Sequence, residues 1–190
     1  YDKSVLVFER SLGTLNVEYS QALESLAASY QGVGDLTKAA ASYQKLLPVK
    51  AEMSFLGGSL GDVTSAQNNL AAIFVKLGDL KAAEVLYRKA VRHREHYYGH
   101  SHPTVARSLE MLGNLLAEVG ELQEATLLLQ RALSIRNEVF GKDDVESAAT
   151  VLNLSTVQCR RGQYVSGRDL FKKWLRIMLQ ALGASHPTCI

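Results

Sequence analysis

The chain has 190 residues, 47% of them hydrophobic and 21% charged, which supplies a continuous core; 3 Pro and 14 Gly argue against a long disordered region. A formal charge of +2, from 21 basic and 19 acidic residues, excludes a strong non-specific pull toward nucleic acid or anionic lipid. No uncharged apolar run approaches about 18 residues, so no membrane-spanning helix is expected, and two cysteines, Cys159 and Cys189, are too few for a disulfide framework and read as reduced thiols.

The chain opens at Tyr1, no signal-peptide pattern follows, and it reads as a segment of a longer protein. Residues 1–13 have the pattern of a trailing helix: Phe8-Glu9-Arg10-Ser11-Leu12 aligns with Tyr43-Gln44-Lys45-Leu46-Leu47, Tyr87-Arg88-Lys89-Ala90-Val91 and Leu129-Gln130-Arg131-Ala132-Leu133. Four units follow, over 16–56, 62–98, 103–140 and 144–182. Their leading segments carry Leu26-Ala27-Tyr30, Leu70-Ala71-Phe74, Leu112-Gly113-Leu116 and Leu154-Ser155-Gln158. Their trailing segments carry Leu36-Ala39-Tyr43, Leu80-Ala83-Tyr87, Leu122-Ala125-Leu129 and Tyr164-Gly167-Phe171. These spacings place the apolar residues on one helix face. Between the two segments stand Gly34-Asp35, Gly78-Asp79, Gly120-Glu121 and Gly162-Gln163, a stop followed by a start. Each unit is therefore a helical hairpin with a very short turn.

The repeat has a fixed length. Gly57, Gly99, Gly141 and Gly183 stand 42 residues apart. Ala39, Ala83 and Ala125 recur where the trailing helix crosses the leading one, and a small side chain there lets the backbones approach. Two junctions depart from the period: Phe8 to Tyr43 is 35 residues, and the next junction, which contains Pro48 and Gly57-Gly58, is two residues longer than 42. Pro48 falls inside a helical pattern and is expected to kink or interrupt it. In the fourth unit Gln158, Gly167 and Trp174 replace an aromatic and two alanines, which predicts different packing. Residues 183–190 repeat the Gly-x-x-His-Pro pattern of 99–103 and read as the start of a further unit.

No catalytic constellation stands out. There is no Gly-x-Ser-x-Gly, and GGSLGD at 57–62 has neither a preceding strand nor a following Lys-Ser/Thr, so it reads as a connector rather than a phosphate loop. His93 and His96 lie one helical turn apart, with His100 and His102 in the next loop. The ordinary reading is an exposed helix end, and no metal site is assigned. Arg160, Arg161, Arg168, Lys172 and Lys173 form a basic end that reads as a solvated face. The chain is not expected to be an enzyme, and no cofactor is implied.

The hairpin ladder resembles the tetratricopeptide repeat. The long form, in QNNLAAIFVKLGDLKAAEVLYRKAVRHREHYYGHSHPTVA and RALSIRNEVFGKDD, resembles the kinesin light chain group and nephrocystin-3-like ciliary proteins. The likeness is good over 62–190 and looser over 14–61. It implies an all-α fold, a right-handed α-solenoid of tetratricopeptide helical hairpins whose leading helices line a concave groove. Residues between the ladder positions then face the groove: Gln21, Glu24, Ser25 and Ala28; Asn68, Asn69, Ala72 and Lys76; Arg107, Glu110, Met111, Asn114 and Glu118; Asn153, Thr156 and Arg160. Asn is a poor helix-interior residue, yet Asn68, Asn69, Asn114 and Asn153 are all mid-helix. An amide offers donors and an acceptor to an extended peptide. The resemblance implies that Asn69, Asn114 and Asn153 hold the backbone of a partner's peptide segment, with Lys76, Arg107 and Arg160 taking its acidic side chains. It further implies a cytoplasmic adaptor of a motor or ciliary complex. The alternative is a scaffold that meets its partners through the convex helices and loops.

Overall fold

A computed structural model of the chain describes residues 17–56 and 60–182. The helix expected over 1–13, the connector glycines Gly57 and Gly58, and the further unit expected from 183 lie outside the described residues. The described residues form helices α1 (Val17–Val33), α2 (Leu36–Phe55), α3 (Leu60–Leu77), α4 (Leu80–Tyr98), α5 (Pro103–Val119), α6 (Leu122–Phe140), α7 (Val145–Arg160) and α8 (Tyr164–Leu182), with no strand among them. The chain divides into two compact units, Tyr1–Tyr97 and Tyr98–Ile190. Each is an all-α stack of helical hairpins, the construction of an α-solenoid.

One hydrogen-bond pattern makes the four short turns. The N–H groups of Asp35, Asp79, Glu121 and Gln163 donate to the carbonyls of Tyr30, Phe74, Leu116 and Gln158, at 2.9, 2.9, 2.8 and 2.9 Å. Each bond spans a glycine in the left-handed region, with φ of 84°, 82°, 101° and 78° for Gly34, Gly78, Gly120 and Gly162. An L side chain is strained there, so glycine ends the helix. The following residue also opens the next one. Asp35 accepts from the N–H of Lys38 at 3.1 Å, and Asp79 from that of Ala82 at 3.0 Å. The longer connections use separate caps. His102 caps α5 with Pro103 in its first turn, and Asp144 caps α7.

In the first unit α2 packs on both α1 and α3. Leu23, Leu26, Tyr43, Leu46, Leu70 and Ile73 are buried together, with Leu86 of α4 packed against them. The interruption expected at Pro48 does not occur: α2 runs unbroken from Leu36 to Phe55. Pro48 is exposed, and so is Gln44, whose carbonyl loses its intrahelical donor on the side of the helix open to solvent. Leu46 and Val49, both buried, hold the turn in place.

In the second unit α5 packs on α6, α6 on α7 and α7 on α8, and α5 also touches α7. The hairpin crossings need small residues. Ala27 and Ala39, and Ala71 and Ala83, are wholly buried. In the third hairpin a Cβ on Gly113 would lie 3.0 Å from Leu129 Cγ and 3.4 Å from the Ala125 carbonyl. The fourth hairpin reverses the sizes. Ser155 stands on the leading helix and donates its hydroxyl to the Gly167 carbonyl at 2.7 Å. A Cβ on Gly167 would come within 2.4 Å of Cys159 Sγ and 3.1 Å of the Ser155 carbonyl. Glycine accommodates the serine. Further along α8, Phe171 is 46% exposed, whereas Tyr43, Tyr87 and Leu129 at the same position are 2%, 5% and 0% exposed. Trp174 lies beside Phe171, ring centroids 5.2 Å apart.

Candidate functional site

Within each unit the leading helices carry two kinds of polar residue between the ladder positions. One kind is locked into the fold. Glu24 of α1 pairs with Lys50 of α2 at 2.8 Å, and Glu110 of α5 pairs with Arg136 of α6 at 2.7 Å; each pair is separated by 26 residues. Glu110 is buried and also accepts from Asn153 Nδ2 of α7 at 3.0 Å, while Arg136 donates to the Glu146 carbonyl. One carboxylate thus ties three helices together. Glu110, expected to face the groove, is tied into the fold: each of its carboxylate oxygens accepts a hydrogen bond and its side chain is largely covered.

The second hairpin varies the same device. Arg94 occupies the basic position and Asn68 the acidic one, and Arg94 Nε donates to Thr64 Oγ1 at 3.2 Å. Asn68 is buried and its Oδ1 has no hydrogen-bond partner. Asn68, expected to face the groove, is covered in this structure. In the fourth hairpin the two positions are Leu152 and Met178, an apolar replacement. These cross-hairpin pairs are what the sequence reading missed. The repeat period carried the signal: Lys50, Arg94 and Arg136 recur in register with Glu24, Asn68 and Glu110.

Asn69 is exposed, and its Nδ2 donates to the Tyr43 hydroxyl of the preceding hairpin at 3.2 Å. Burial raises the Tyr43 pKa above its ordinary value, against the stabilising donation from Asn69 and with a small push from Glu24. Thr156 is exposed and returns its hydroxyl to the Leu152 carbonyl at 3.1 Å. Arg161 is pinned to Thr126 and Gln123 of α6 at 3.2 and 2.9 Å.

The second kind is uncommitted. Among the described residues Lys76, Arg107, Asn114 and Arg160 make no side-chain hydrogen bond or ion pair. Lys76, Arg107 and Arg160 are exposed; Asn114 and Met111 are partly exposed. Arg107, Met111 and Asn114 stand on α5, and Arg160 on the adjoining leading helix α7 of the same unit.

The histidines have structural settings of their own. His102 caps α5, accepting from the Thr104 N–H at 3.3 Å, and stacks on Tyr98 at 4.7 Å. Burial lowers the His93 pKa, with Arg92, Lys89 and His96 adding to the effect. No group of three potential metal ligands occurs among the described residues. None of the described helices is long and apolar enough to cross a membrane.

The tetratricopeptide repeat (TPR) family matches residues 62–138. BtubC (BKLC) from P. vanneervenii has the same fold at a TM-score of 0.77 and 27% identity, over 90% of this chain and 66% of that one. The described helices thus have TPR-like architecture, and residues 62–138 match the repeat itself. The chain spans less than two thirds of BtubC. A kinesin light chain-like protein of nearly identical TPR-like repeats, from Podosopora anserina, superimposes at a TM-score of 0.80, with 18% identity over 95% of this chain and 85% of that one. The MamA RS-1 ArsTM double mutant gives 0.68 at 14% identity, over 94% of this chain and 83% of its own. At these last two identities the likeness is one of fold. No curated protein matches the chain.

Proposed function

We propose that the chain is a non-catalytic protein-interaction module which holds an extended peptide segment of a partner against its leading helices. The observation that carries this reading is the uncommitted set on α5 and α7. Arg107, Asn114 and Arg160 are polar, accessible and without partners among the described residues, while neighbouring polar residues are tied into the fold. Two guanidinium groups select a peptide with acidic side chains, and Asn114 offers its amide to the backbone. Met111 adds an adaptable apolar contact between them.

The adaptor role suggested by kinesin light chain-like relatives is part of this proposal, as is a cytoskeletal or ciliary setting. Its test is titration of acidic and neutral 12-residue peptides by anisotropy against the parent, Arg107→Glu and Asn114→Ala. An acidic-peptide affinity that falls about tenfold in Arg107→Glu supports the reading. Equal affinity in parent and variants removes these helices from the function.

A scaffold role on the opposite face has one observation in its favour. Val85 and Leu127 occupy the same position of their trailing helices and are 53% and 62% exposed. Loss of partner binding in Leu127→Glu with peptide affinity intact would select that reading.

A further inference from the structure

The outward face of α4 carries a basic stripe. Described helices precede and follow α4 in the chain, so its exposure does not depend on where the sequence ends. Val85, Lys89, Arg92 and His96 fall at i, i+4, i+7 and i+11, which is one face of a helix, and all four are exposed. The same positions are Ala41, Lys45, Pro48 and Glu52 on α2, and Leu127, Arg131, Ser134 and Glu138 on α6. On α8 they are Asp169, Lys173, Arg176 and Gln180. The first basic residue therefore belongs to the repeat. Among the described trailing helices, only α4 has a basic side chain at all three later positions, behind an exposed apolar one.

These basic groups are not neutralised within the fold. Lys89, Arg92 and His96 make no ion pair or side-chain hydrogen bond among the described residues. α4 has five Lys and Arg against two Glu. Glu84 is taken by Arg88 at 2.8 Å, and Glu95 stands to one side of the stripe. Burial is the main cause of the lowered His93 pKa, and Arg92, Lys89 and His96 follow it in that order. The three side chains thus act together on one neighbouring ring. Like charges held on one face repel, and an anionic partner relieves that repulsion.

We propose that this face of α4 docks an acidic helix of a partner protein, whose carboxylates on successive turns meet His96, Arg92 and Lys89 and whose apolar side chain covers Val85. The occupant is helical because the basic groups recur once per turn, about 5.4 Å apart along α4, as side chains do on a second helix. Same-side residues of an extended chain recur every ~6.7 Å and fall out of step. It is a protein because Val85, 53% exposed, adds an apolar contact that a polyanion does not use. Three basic groups also fall short of the about four to eight that mark attraction to an anionic bilayer. The face belongs to the first unit and the peptide site on α5 and α7 to the second, so neither proposal rests on the other.

The probe is an 18-residue helical peptide with glutamates at i, i+4 and i+7 and leucine at i+11, compared with a scrambled copy of the same composition. Each is titrated into the isotope-labelled chain and followed by amide NMR. The expected result is saturable shifts centred on α4 between Val85 and His96, with the patterned peptide bound about fivefold tighter than the scrambled one. Arg92→Glu, a change at an exposed position, weakens binding about fivefold, Arg92→Lys keeps it, and Arg107→Glu leaves it unchanged. Four results overturn the proposal: no shifts; equal affinity for the two peptides; shifts centred on α5 and α7 or lost in Arg107→Glu, which would return the peptide to the other site; or tighter binding of heparin or phosphatidylserine vesicles than of the patterned peptide.

Discussion

Glu110→Leu tests the central tie of the second unit. The change leaves Arg136, whose side chain is 13% exposed, without its carboxylate, and removes the acceptor of Asn153. Removing one partner of a buried pair costs about 3–5 kcal/mol. Arg136 keeps its bond to the Glu146 carbonyl, which places the loss near the lower end, about 3 kcal/mol. At this chain length that is a fall in Tm of roughly 6–12 °C. The fourth hairpin shows how the site can do without charge, since Leu152 and Met178 stand where Glu110 and Arg136 do. Adding Arg136→Met should therefore restore most of the stability, bringing the double variant to within about 1 kcal/mol of the parent. Urea denaturation followed by circular dichroism measures both. A double variant as unstable as the single one would refute the account of Glu110 as one half of a replaceable pair.

Three further outcomes follow from the packing and the caps. Gly167→Ala places a Cβ 2.4 Å from Cys159 Sγ, so it should destabilise by about 1–2 kcal/mol despite the better helix propensity of alanine. In a Cys159→Ala background the penalty should shrink, and an unchanged penalty would acquit the sulfur. Ala125→Arg puts a cation into a wholly buried crossing and should cost several kcal/mol, about 3 or more; an unchanged Tm would disprove the register of α5 on α6. Asp35 is held at about 2, below its ordinary 3.8, by the hydrogen bonds from the Lys38 side chain, the Lys38 N–H and Thr37. A depressed folded value means the stabilisation is present above pH 3.8 and is lost as pH falls toward 2. An NMR titration of the Asp35 carboxyl with a midpoint near 4 would contradict this, as would an Asp35→Asn variant with the parent's acid sensitivity.

The hairpins were legible because the residues that make them have few substitutes. A left-handed turn position selects glycine, so Gly34, Gly78, Gly120 and Gly162 mark four turns without further information. Ala39, Ala83 and Ala125 were legible for the same reason, since only a small side chain fits. Pro48 does not interrupt α2 because it falls on the exposed side of that helix, a tertiary property. The apolar ladder of a single helix does not show the partners of Glu24 and Glu110, and Glu24 keeps 39% of its side chain exposed even when paired. Their partners stand 26 residues away on the second helix, and a charged residue looks the same in sequence whether it is solvated or paired. Comparing Lys50, Arg94 and Arg136 across the period would have shown a basic position repeated three times, which a solvated face does not require.

The asparagines show why a polar residue in mid-helix does not by itself mark a ligand site. Asn69 and Asn153 each spend an amide N–H on the neighbouring hairpin, on Tyr43 and Glu110, while Asn114 spends none among the described residues. A bridging asparagine retains one N–H and its carbonyl, and the bridge fixes its rotamer, so it loses less side-chain entropy on meeting a peptide than a free one does. The two kinds separate under the same substitution. Asn153→Asp sets a second carboxylate where a donor stood 3.0 Å from Glu110, so the variant should lose stability as well as peptide affinity. Asn114→Asp breaks no side-chain hydrogen bond among the described residues, and its like-charge neighbours one turn away, Glu110 and Glu118, cost only about 0.2–0.5 kcal/mol each, so it should change affinity for an acidic peptide while leaving Tm within about 1–4 °C of the parent. Measuring both quantities on both variants distinguishes a fold contact from a ligand contact. Equal Tm values for the two would mean that the bond from Asn153 to Glu110 contributes nothing, and that Asn153 belongs with Asn114 among the residues free to meet a partner.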